Sequence, residues 1–397
     1  MNREDFPMLK NDYIYFDNGA TTFKPKQVLE SITKYYTEYT ANAHRGDYDF
    51  SMQVDNIYEN TRTKVKELIN SKTTKEIVFT NNTTDSLNII ANNYFKNILK
   101  PNDEIILTYA EHASNVLPWF KLANELNLKI VYIPIENNHI TIDNLKSVIT
   151  PNTKVISLAM ITNVLGDIRP IKEITNIAHQ NNIKVVIDGA QTVPHLKIDV
   201  QDLDIDFLAF SAHKMCGPTG VGVLYAKEEL MEKIEPPRLG GGMNESFDNK
   251  DSIILKDIPT RLEAGTPNIE GVTGLNAAID YLNNIGLDNI HKYELELKEY
   301  CLNKLKQIPH IIIYNENTKS GIISFNVEGI FPQDVAVYLN KYHICLRAGN
   351  HCAKLLNNVI KEKNTLRCSF YFYNTKEEID KMINLLKDKE KIIKEML

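Results

Sequence analysis

Short apolar runs alternate with helical stretches between residues 75 and 235. The runs are rich in β-branched residues, and each has the length of a buried strand. They cover residues 77–79, 105–107, 129–133, 155–158, 185–187, 208–210 and 221–224. Strands that alternate with helices are typical of a doubly wound sheet. We therefore predict an α/β fold with a large, mostly parallel sheet.

The pattern changes after residue 235. Residues 236–274 are rich in glycine and proline, and we predict a long loop there rather than a helix or strand. Further on, helical stretches surround a single strand-like run at 321–327. Thr375 and Glu378 have the spacing of a capping box, and the apolar residues after them lie on one helical face. We expect a large domain over 20–274 and a smaller α+β domain that contains 275–397.

Composition narrows the function classes. The chain has 397 residues, of which 43% are hydrophobic and 24% are charged, as in ordinary globular proteins. Its 45 basic and 51 acidic residues leave a net charge of −6, which argues against nucleic-acid binding. No apolar stretch approaches the length of a membrane span, and the first residues lack an apolar signal core. We expect a cytoplasmic protein without a membrane partner.

The cysteines indicate free thiols. The five cysteines stand at positions 216, 301, 345, 352 and 368, and no two of them have CxxC spacing. An odd number without paired spacing favours neither a disulfide framework nor a tetrahedral zinc site. We therefore predict no metal site and a reducing compartment.

Two ionisable residues follow neighbouring predicted strands. Asp188 ends the run at 185–187, and Lys214 follows the run at 208–210. Ligands of open α/β sheets bind at the carboxyl ends of strands. A lysine can hold pyridoxal phosphate as a Schiff base while an acid keeps the pyridine nitrogen protonated. A buried structural ion pair is the alternative for these two residues alone.

The motifs around this pair resemble those of the fold-type-I, class V aminotransferase-like enzymes, and among them the group II, SUF-type cysteine desulfurases. The resemblance covers nearly the whole chain, and its specificity lies in the order of the motifs. They are Asp17-Asn-Gly-Ala-Thr21, His44-Arg45-Gly46, Thr83-Thr84, Glu111-His112, Asn163-Val-Leu-Gly166, Asp188-Gly-Ala-Gln191, Ser211-Ala-His213-Lys214, Glu263-Ala-Gly-Thr-Pro267, Arg347-Ala-Gly-Asn-His-Cys352 and Arg367. The resemblance implies that residues 1–19 pack with the smaller domain.

The resemblance also implies a set of cofactor contacts. Lys214 would carry pyridoxal 5′-phosphate covalently, and Asp188 would pair with its ring nitrogen. The other implied contacts are stacking and proton transfer by His112, a hydrogen bond from Gln191 to the phenolic oxygen, and phosphate binding by Thr83, Thr84, Ser211 and His213. The turn at 81–84 supports a phosphate site independently, because it precedes a predicted helix. Plain N-capping is the alternative there.

Cys352 separates a desulfurase from an aminotransferase, since only the desulfurase needs a thiolate that attacks the substrate sulfur. Its polar, glycine-containing loop is unlike the surroundings of an inert core cysteine, and Arg347 and His351 are local candidates for favouring a thiolate. Asn350 departs from the group II pattern, which usually has a second histidine, and this places the tuning of the thiol in question.

The resemblance assigns the substrate L-cysteine to a further group of residues. Arg367 would bind its carboxylate, as a bidentate arginine can. The others are Ala20, His44, Arg45, Asn163 and Arg347.

Thr266 would reach the phosphate in the site of a second subunit, so a homodimer is implied. The sulfur would pass to an acceptor protein of the SUF system for iron–sulfur cluster assembly. A selenocysteine lyase or class V aminotransferase on the same scaffold, and a non-catalytic assembly scaffold, are the alternatives.

Overall fold

A computed structural model describes residues 2–44 and 46–396. Its strands, in chain order, are β1 Ile14–Tyr15, β2 Ile77–Thr80, β3 Glu104–Thr108, β4 Lys129–Ile133, β5 Thr153–Ala159, β6 Lys184–Asp188, β7 Phe207–Ser211, β8 Gly222–Ala226, β9 Asn244–Phe247, β10 Ile253–Leu255, β11 Ile311–Ile313, β12 Ile322–Val327, β13 Ile344–Cys345, β14 Arg347–Gly349 and β15 Thr365–Ser369.

The α-helices follow the same order. They are α1 Lys26–Glu38, α2 Asp49–Ile69, α3 Thr83–Ile89, α4 Leu117–Leu126, α5 Ile142–Val148, α6 Ile171–Gln180, α7 Glu228–Met231, α8 Ile269–Ile285, α9 Leu287–Leu305, α10 Pro332–Lys341, α11 Asn357–Ile360, α12 Lys376–Leu386 and α13 Lys389–Met396. No helix among the described residues is long and apolar enough to cross a membrane.

The large sheet has seven strands in the order β2-β8-β7-β6-β5-β3-β4. Strands β7, β6, β5, β3 and β4 are parallel, whereas β8 is antiparallel to both of its neighbours. Strands such as β6 and β7 are buried on both faces because apolar clusters cover each side of the sheet. The predicted α/β fold with a mostly parallel sheet is confirmed.

A second sheet has four antiparallel strands in the order β11-β12-β15-β14 and its own apolar cluster. Strand β1 pairs with β13 beside it, so part of the N-terminal segment packs with the C-terminal region. The capping box at Thr375 and Glu378 is confirmed at the start of α12. The division at residue 275 stays a prediction; this residue lies within α8, which packs against α1 and α2.

The long loop predicted over 236–274 is wrong in two places. Strands β9 and β10 form an antiparallel hairpin, and α8 begins at Ile269. Asn268 starts the helix because its side-chain oxygen accepts a hydrogen bond from the Gly271 N–H at 2.9 Å. Gly271 is required there by close packing, since a Cβ would lie 2.4 Å from Val221. Gly271 is therefore explained by close packing rather than by a break in secondary structure.

A buried ion pair joins the carboxyl ends of β3 and β5. The Arg169 guanidinium contacts Glu111 and also donates to the Ala159 carbonyl at 3.0 Å and to the Thr108 hydroxyl at 2.7 Å. The other Glu111 carboxylate oxygen accepts from the Ala159 N–H at 2.7 Å and the Asn115 amide at 2.9 Å. The bonds of Glu111 hold the residue that directly precedes His112.

Removing the arginine should therefore destabilise the fold strongly. We expect Arg169→Met to lower the free energy of unfolding by about 3–5 kcal/mol, because Glu111 would keep a buried charge without its partner. The matched control is Lys172→Met, whose exposed ion pair with Asp202 should contribute less than about 1 kcal/mol. Urea unfolding followed by circular dichroism measures both. Equal effects of the two substitutions would contradict the role of the buried pair.

Candidate functional site

A cavity of about 400 Å³ lies between the carboxyl edge of the large sheet and the second sheet. It brings together thirteen of the residues predicted from the sequence. They are Ala20, Thr83, Thr84, His112, Asn163, Asp188, Gln191, Ser211, His213, Lys214, Arg347, Cys352 and Arg367. Their roles stay predictions, but one cavity contains groups that are distant along the chain.

Two of the predicted residues that the structure describes, Thr266 and His44, are not among those that line this cavity. Thr266 is exposed, and its hydroxyl lies 3.4 Å from the Asn42 amide nitrogen. His44 lies within 3.6 Å of both Asp55 and Glu59 on α2, which raise the pKa of its imidazole above the ordinary value. Arg45 lies outside the described residues. Thr266 and His44 therefore do not line this cavity within their own chain.

Hydroxyl and N–H groups converge at one end of the cavity. The Ser211 hydroxyl lies 2.6 Å from the Thr83 hydroxyl and accepts from the Thr83 N–H at 2.7 Å. The Thr84 hydroxyl lies 2.7 Å from that of Ser114, a lining residue that sequence reasoning missed. The sequence signal that could have identified Ser114 is its position two residues after His112. This arrangement suits an anion, because these hydroxyl groups can rotate their donors toward it at the start of α3.

Gly222 allows this end of the cavity to form. Strand β8 passes so close to the turn before α3 that a Cβ on Gly222 would lie 2.5 Å from the Asn82 backbone. Any larger residue would push Asn82 and the adjacent Thr83 away from Ser211. The glycine therefore supports the anion-binding geometry through close backbone approach.

Asp188 and Lys214 line the cavity, and the pKa values of both side chains are shifted from their ordinary values. Burial raises the pKa of the Asp188 carboxyl to about 6, although it accepts a hydrogen bond from the Ala190 N–H at 2.9 Å. Burial lowers the pKa of the Lys214 amine to about 8; Asp188 opposes this shift, and Arg367 and Arg347 add to it. Both shifts favour the neutral form, and a neutral amine is the nucleophilic form of lysine.

His112 is neutral in this environment. Burial, followed by the charges of Lys214, Arg367 and Arg347, lowers the pKa of its imidazole to about 4. Its Nδ1 accepts a hydrogen bond from the Ser114 N–H at 3.1 Å, so the ring is held at the end of β3. A neutral histidine can accept a proton, although burial and these nearby cations disfavour the imidazolium that results.

The Cys352 loop reaches the cavity from the second sheet. The Cys352 carbonyl accepts from the Ala113 N–H at 2.7 Å, and the His351 carbonyl accepts from the Asn163 amide at 2.8 Å. His351 and Cys352 both have left-handed backbone conformations, with φ of 51° and 56°. Long-range hydrogen bonds therefore hold the backbone of the loop, while Cys352 itself is exposed.

Asn350, the departure from the expected motif, has a structural role in this loop. Its side-chain oxygen accepts a hydrogen bond from the Cys352 N–H at 3.0 Å. Such a local bond supports the left-handed turn at the following residues. His351 is buried, and its Nε2 lies 2.9 Å from the Thr365 hydroxyl. Burial and the Arg367 charge lower the pKa of the His351 imidazole to about 3, so this ring is not a cation.

Known proteins resemble this chain in sequence and in fold. Residues 14–382 match the family model described as aminotransferase class-V. The chain is 42% identical over 381 residues to a probable cysteine desulfurase of Halalkalibacterium halodurans, with 94% of each protein covered. It is 44% identical over 409 residues to a probable cysteine desulfurase of Borreliella burgdorferi, with 99% and 96% covered. The crystal structure of the cysteine desulfurase CsdA from Escherichia coli matches with a TM-score of 0.93 at 35% identity, covering 100% of this chain and 98% of that one.

The lowered pKa of Lys214 can be measured by competitive acetylation. Acetic anhydride reacts with neutral amines, so the reactivity of Lys214 should rise through a midpoint near pH 8, well below that of Nα-acetyl-lysine. Asp188→Asn should move the midpoint lower still, because the Asp188 charge raises the pKa of Lys214. Mass spectrometry of cofactor-free protein gives both midpoints. A Lys214 midpoint equal to that of the free amino acid would contradict the effect of burial.

Proposed function

Because this chain belongs to the cysteine desulfurases of the aminotransferase class-V family, we propose that Cys352 takes the sulfur of L-cysteine and passes it on for iron–sulfur cluster assembly. The observation that carries this proposal is the presence of Cys352, an exposed cysteine, in the same cavity as Lys214 and Arg367. A transaminase has no use for a thiol at that position.

The enzyme depends on pyridoxal 5′-phosphate. The donor set of the cavity fits this group: hydroxyl and N–H groups at Thr83, Thr84 and Ser211 suit the phosphate, and the buried Asp188 suits a protonated ring nitrogen. Lys214 would hold the aldehyde carbon covalently. When bound, the cofactor supplies an electron sink for the electrons released at the substrate Cα.

The residues facing the cofactor divide the remaining work. His112, neutral and held by Ser114, would pack against the ring and accept or return a proton. The Gln191 side-chain amide donates to the Gly19 carbonyl at 2.6 Å. The Gln191 side-chain oxygen would then accept a hydrogen bond from a protonated phenolic oxygen of the cofactor, or the Gln191 side chain would rotate to donate to it. Once the substrate has displaced Lys214, the free lysine amine would move protons to and from the substrate carbon atoms.

Sulfur transfer itself is assigned to Cys352. Its thiolate sulfur would form a bond to the substrate sulfur while the substrate Cβ–S bond breaks. The electron pair of that bond stays with carbon, and the carbon takes a proton to become the methyl group of alanine. Cysteine and the enzyme thiol thus give alanine and an enzyme persulfide, with no external oxidant or reductant.

The exposure of Cys352 supports delivery to a protein acceptor. A persulfide on this residue would be open to solvent, so a thiolate of a partner protein could approach its outer sulfur. We assign the acceptor to the SUF system on the resemblance of the Cys352 loop to the group II cassette. The acceptor then carries the sulfur to cluster assembly.

A homodimer would explain the positions of Thr266 and His44. Asn42 connects the two regions, because its carbonyl accepts from the Ser51 hydroxyl at 3.2 Å and its amide nitrogen lies 3.4 Å from the Thr266 hydroxyl. Nearby Tyr48, Phe50 and Met52 are each more than half exposed, which is unusual for large apolar side chains so close together. This surface would pack against a second copy and place Thr266 at its phosphate site.

Replacement of the nucleophile tests the proposed chemistry. Cys352→Ala should lower alanine formation from L-cysteine by about 10³-fold or more, because the attacking sulfur is gone. Borohydride should still trap the cofactor on Lys214 in this variant. The control is Cys345→Ala, which removes a half-buried thiol away from the cavity and should keep near-normal turnover. Near-normal turnover by Cys352→Ala would transfer the role to another thiol or remove the assignment.

Subunit mixing tests the shared site. Lys214→Ala subunits should be inactive, and Thr266→Ala subunits should bind the cofactor weakly. A mixed dimer would contain one site with both residues intact, so co-expression with two affinity tags should restore up to about half of the wild-type activity. Lys214→Ala mixed with Lys214→Ala carrying the second tag is the control. No recovery in purified mixed dimers would place Thr266 outside the partner's site.

A further inference from the structure

Two arginines stand directly opposite each other beside the cavity. Arg347 on β14 and Arg367 on β15 are paired in register across the antiparallel strands. Like charges in such a pair repel and destabilise a sheet unless another group offsets them. Asp17 is that group: its Oδ1 lies 2.9 Å from Arg367 Nη2, and its Oδ2 lies 3.8 Å from Arg347 Nη1. One carboxylate thus bridges both cations.

We propose that Asp17 is a positioning residue that holds the Arg367 guanidinium in the orientation that receives the carboxylate of an amino-acid substrate. This inference deepens the proposed function and rests on it. Arg347 and Arg367 line the cavity, whereas Asp17 lies behind them and does not line it. Asp17 would therefore act on the substrate only through the arginines.

The Arg367 guanidinium is restrained on several sides. Its Nη1 donates to the Asn163 carbonyl at 2.9 Å, and its Nη2 donates to Asp17. Gly19 packs closely against it, since a Cβ there would lie 3.1 Å from Arg367 Cζ. A guanidinium has five N–H donors, so these two bonds leave others for a ligand. Without Asp17, one edge of the planar group would lose the acceptor that sets its rotation.

The charge of Asp17 has a second, opposite effect on ligand binding. Arg367 is only 2% exposed, and a buried cation requires a nearby anion. The same anion also repels the ligand carboxylate. Orientation and charge can therefore be separated, because asparagine keeps an oxygen that accepts from Nη2 but carries no charge.

The test measures ligand binding to the cofactor-loaded enzyme by the absorbance change of the cofactor. The ligands are L-alanine and ethylamine, which share the amine and differ by the carboxylate. We expect Asp17→Ala to weaken L-alanine binding by about ten-fold, as loss of a charge-assisted contact would, and to leave ethylamine binding within about two-fold. Asp17→Asn should keep L-alanine affinity within about three-fold of wild type, or tighten it.

Controls separate this proposal from a general structural effect. Asp202→Ala removes an exposed carboxylate and should change neither affinity. If Asp17→Ala does not fold, Asp17→Ser replaces it with the same expectation, because its hydroxyl is too short to reach the guanidinium. Equal weakening of both ligands, or an Asp17→Asn variant as weak as Asp17→Ala, would overturn the positioning role. A wild-type enzyme that does not prefer L-alanine to ethylamine would instead contradict the proposed function.

Discussion

Burial of Asp188 and Lys214 at the carboxyl edge of one sheet is the constraint on which the site depends. Charged groups lose hydration there, and burial shifts the two pKa values toward each other, to about 6 for Asp188 and about 8 for Lys214. In the proposed function, Asp188 would face the protonated ring nitrogen of the cofactor, and Lys214 would react with its aldehyde. A rigid support is required, because water that entered a loose edge would move both pKa values back toward their ordinary values.

The support comes from buried polar groups that make hydrogen bonds between distant parts of the chain. Glu111 and Arg169 join the ends of β3 and β5 through charge-assisted hydrogen bonds, and His112 follows directly from this network. Across the cavity, Arg367 is held by Asn163 and Asp17. Each of these buried cations has an anion within contact distance, which limits the cost of removing it from water.

Cys352, the proposed sulfur acceptor, reaches the cavity from the loop that follows β14 of the second sheet. Cys352 stands on a short left-handed turn whose carbonyls accept hydrogen bonds from Ala113 and Asn163 of the large-sheet region. The loop is therefore fixed by contacts between distant parts of the chain, while its thiol stays accessible. An enzyme that must first accept sulfur and then give it away needs both properties.

The sequence by itself determined the main sheet, the start of α12 and many of the residues around the cavity. β-Branched runs that are buried on both faces leave a local pattern, and so does the capping box at Thr375. The motif order also identified Lys214, Asp188 and Cys352 as members of one site. The strand runs, the capping box and each single motif are local signals, whereas the order of the motifs extends over nearly the whole chain.

Only the tertiary structure decided which groups meet. The register that places Arg347 opposite Arg367, the bridge from Asp17 to both, and the separation of His44 and Thr266 from the cavity depend on pairings between residues far apart in the chain. The hairpin of β9 and β10 and the start of α8 were hidden for a related reason. The glycines and prolines that flank the hairpin and lie near the start of α8 are typical of a loop. Strand pairing and close helix packing depend instead on contacts between residues that are distant along the chain.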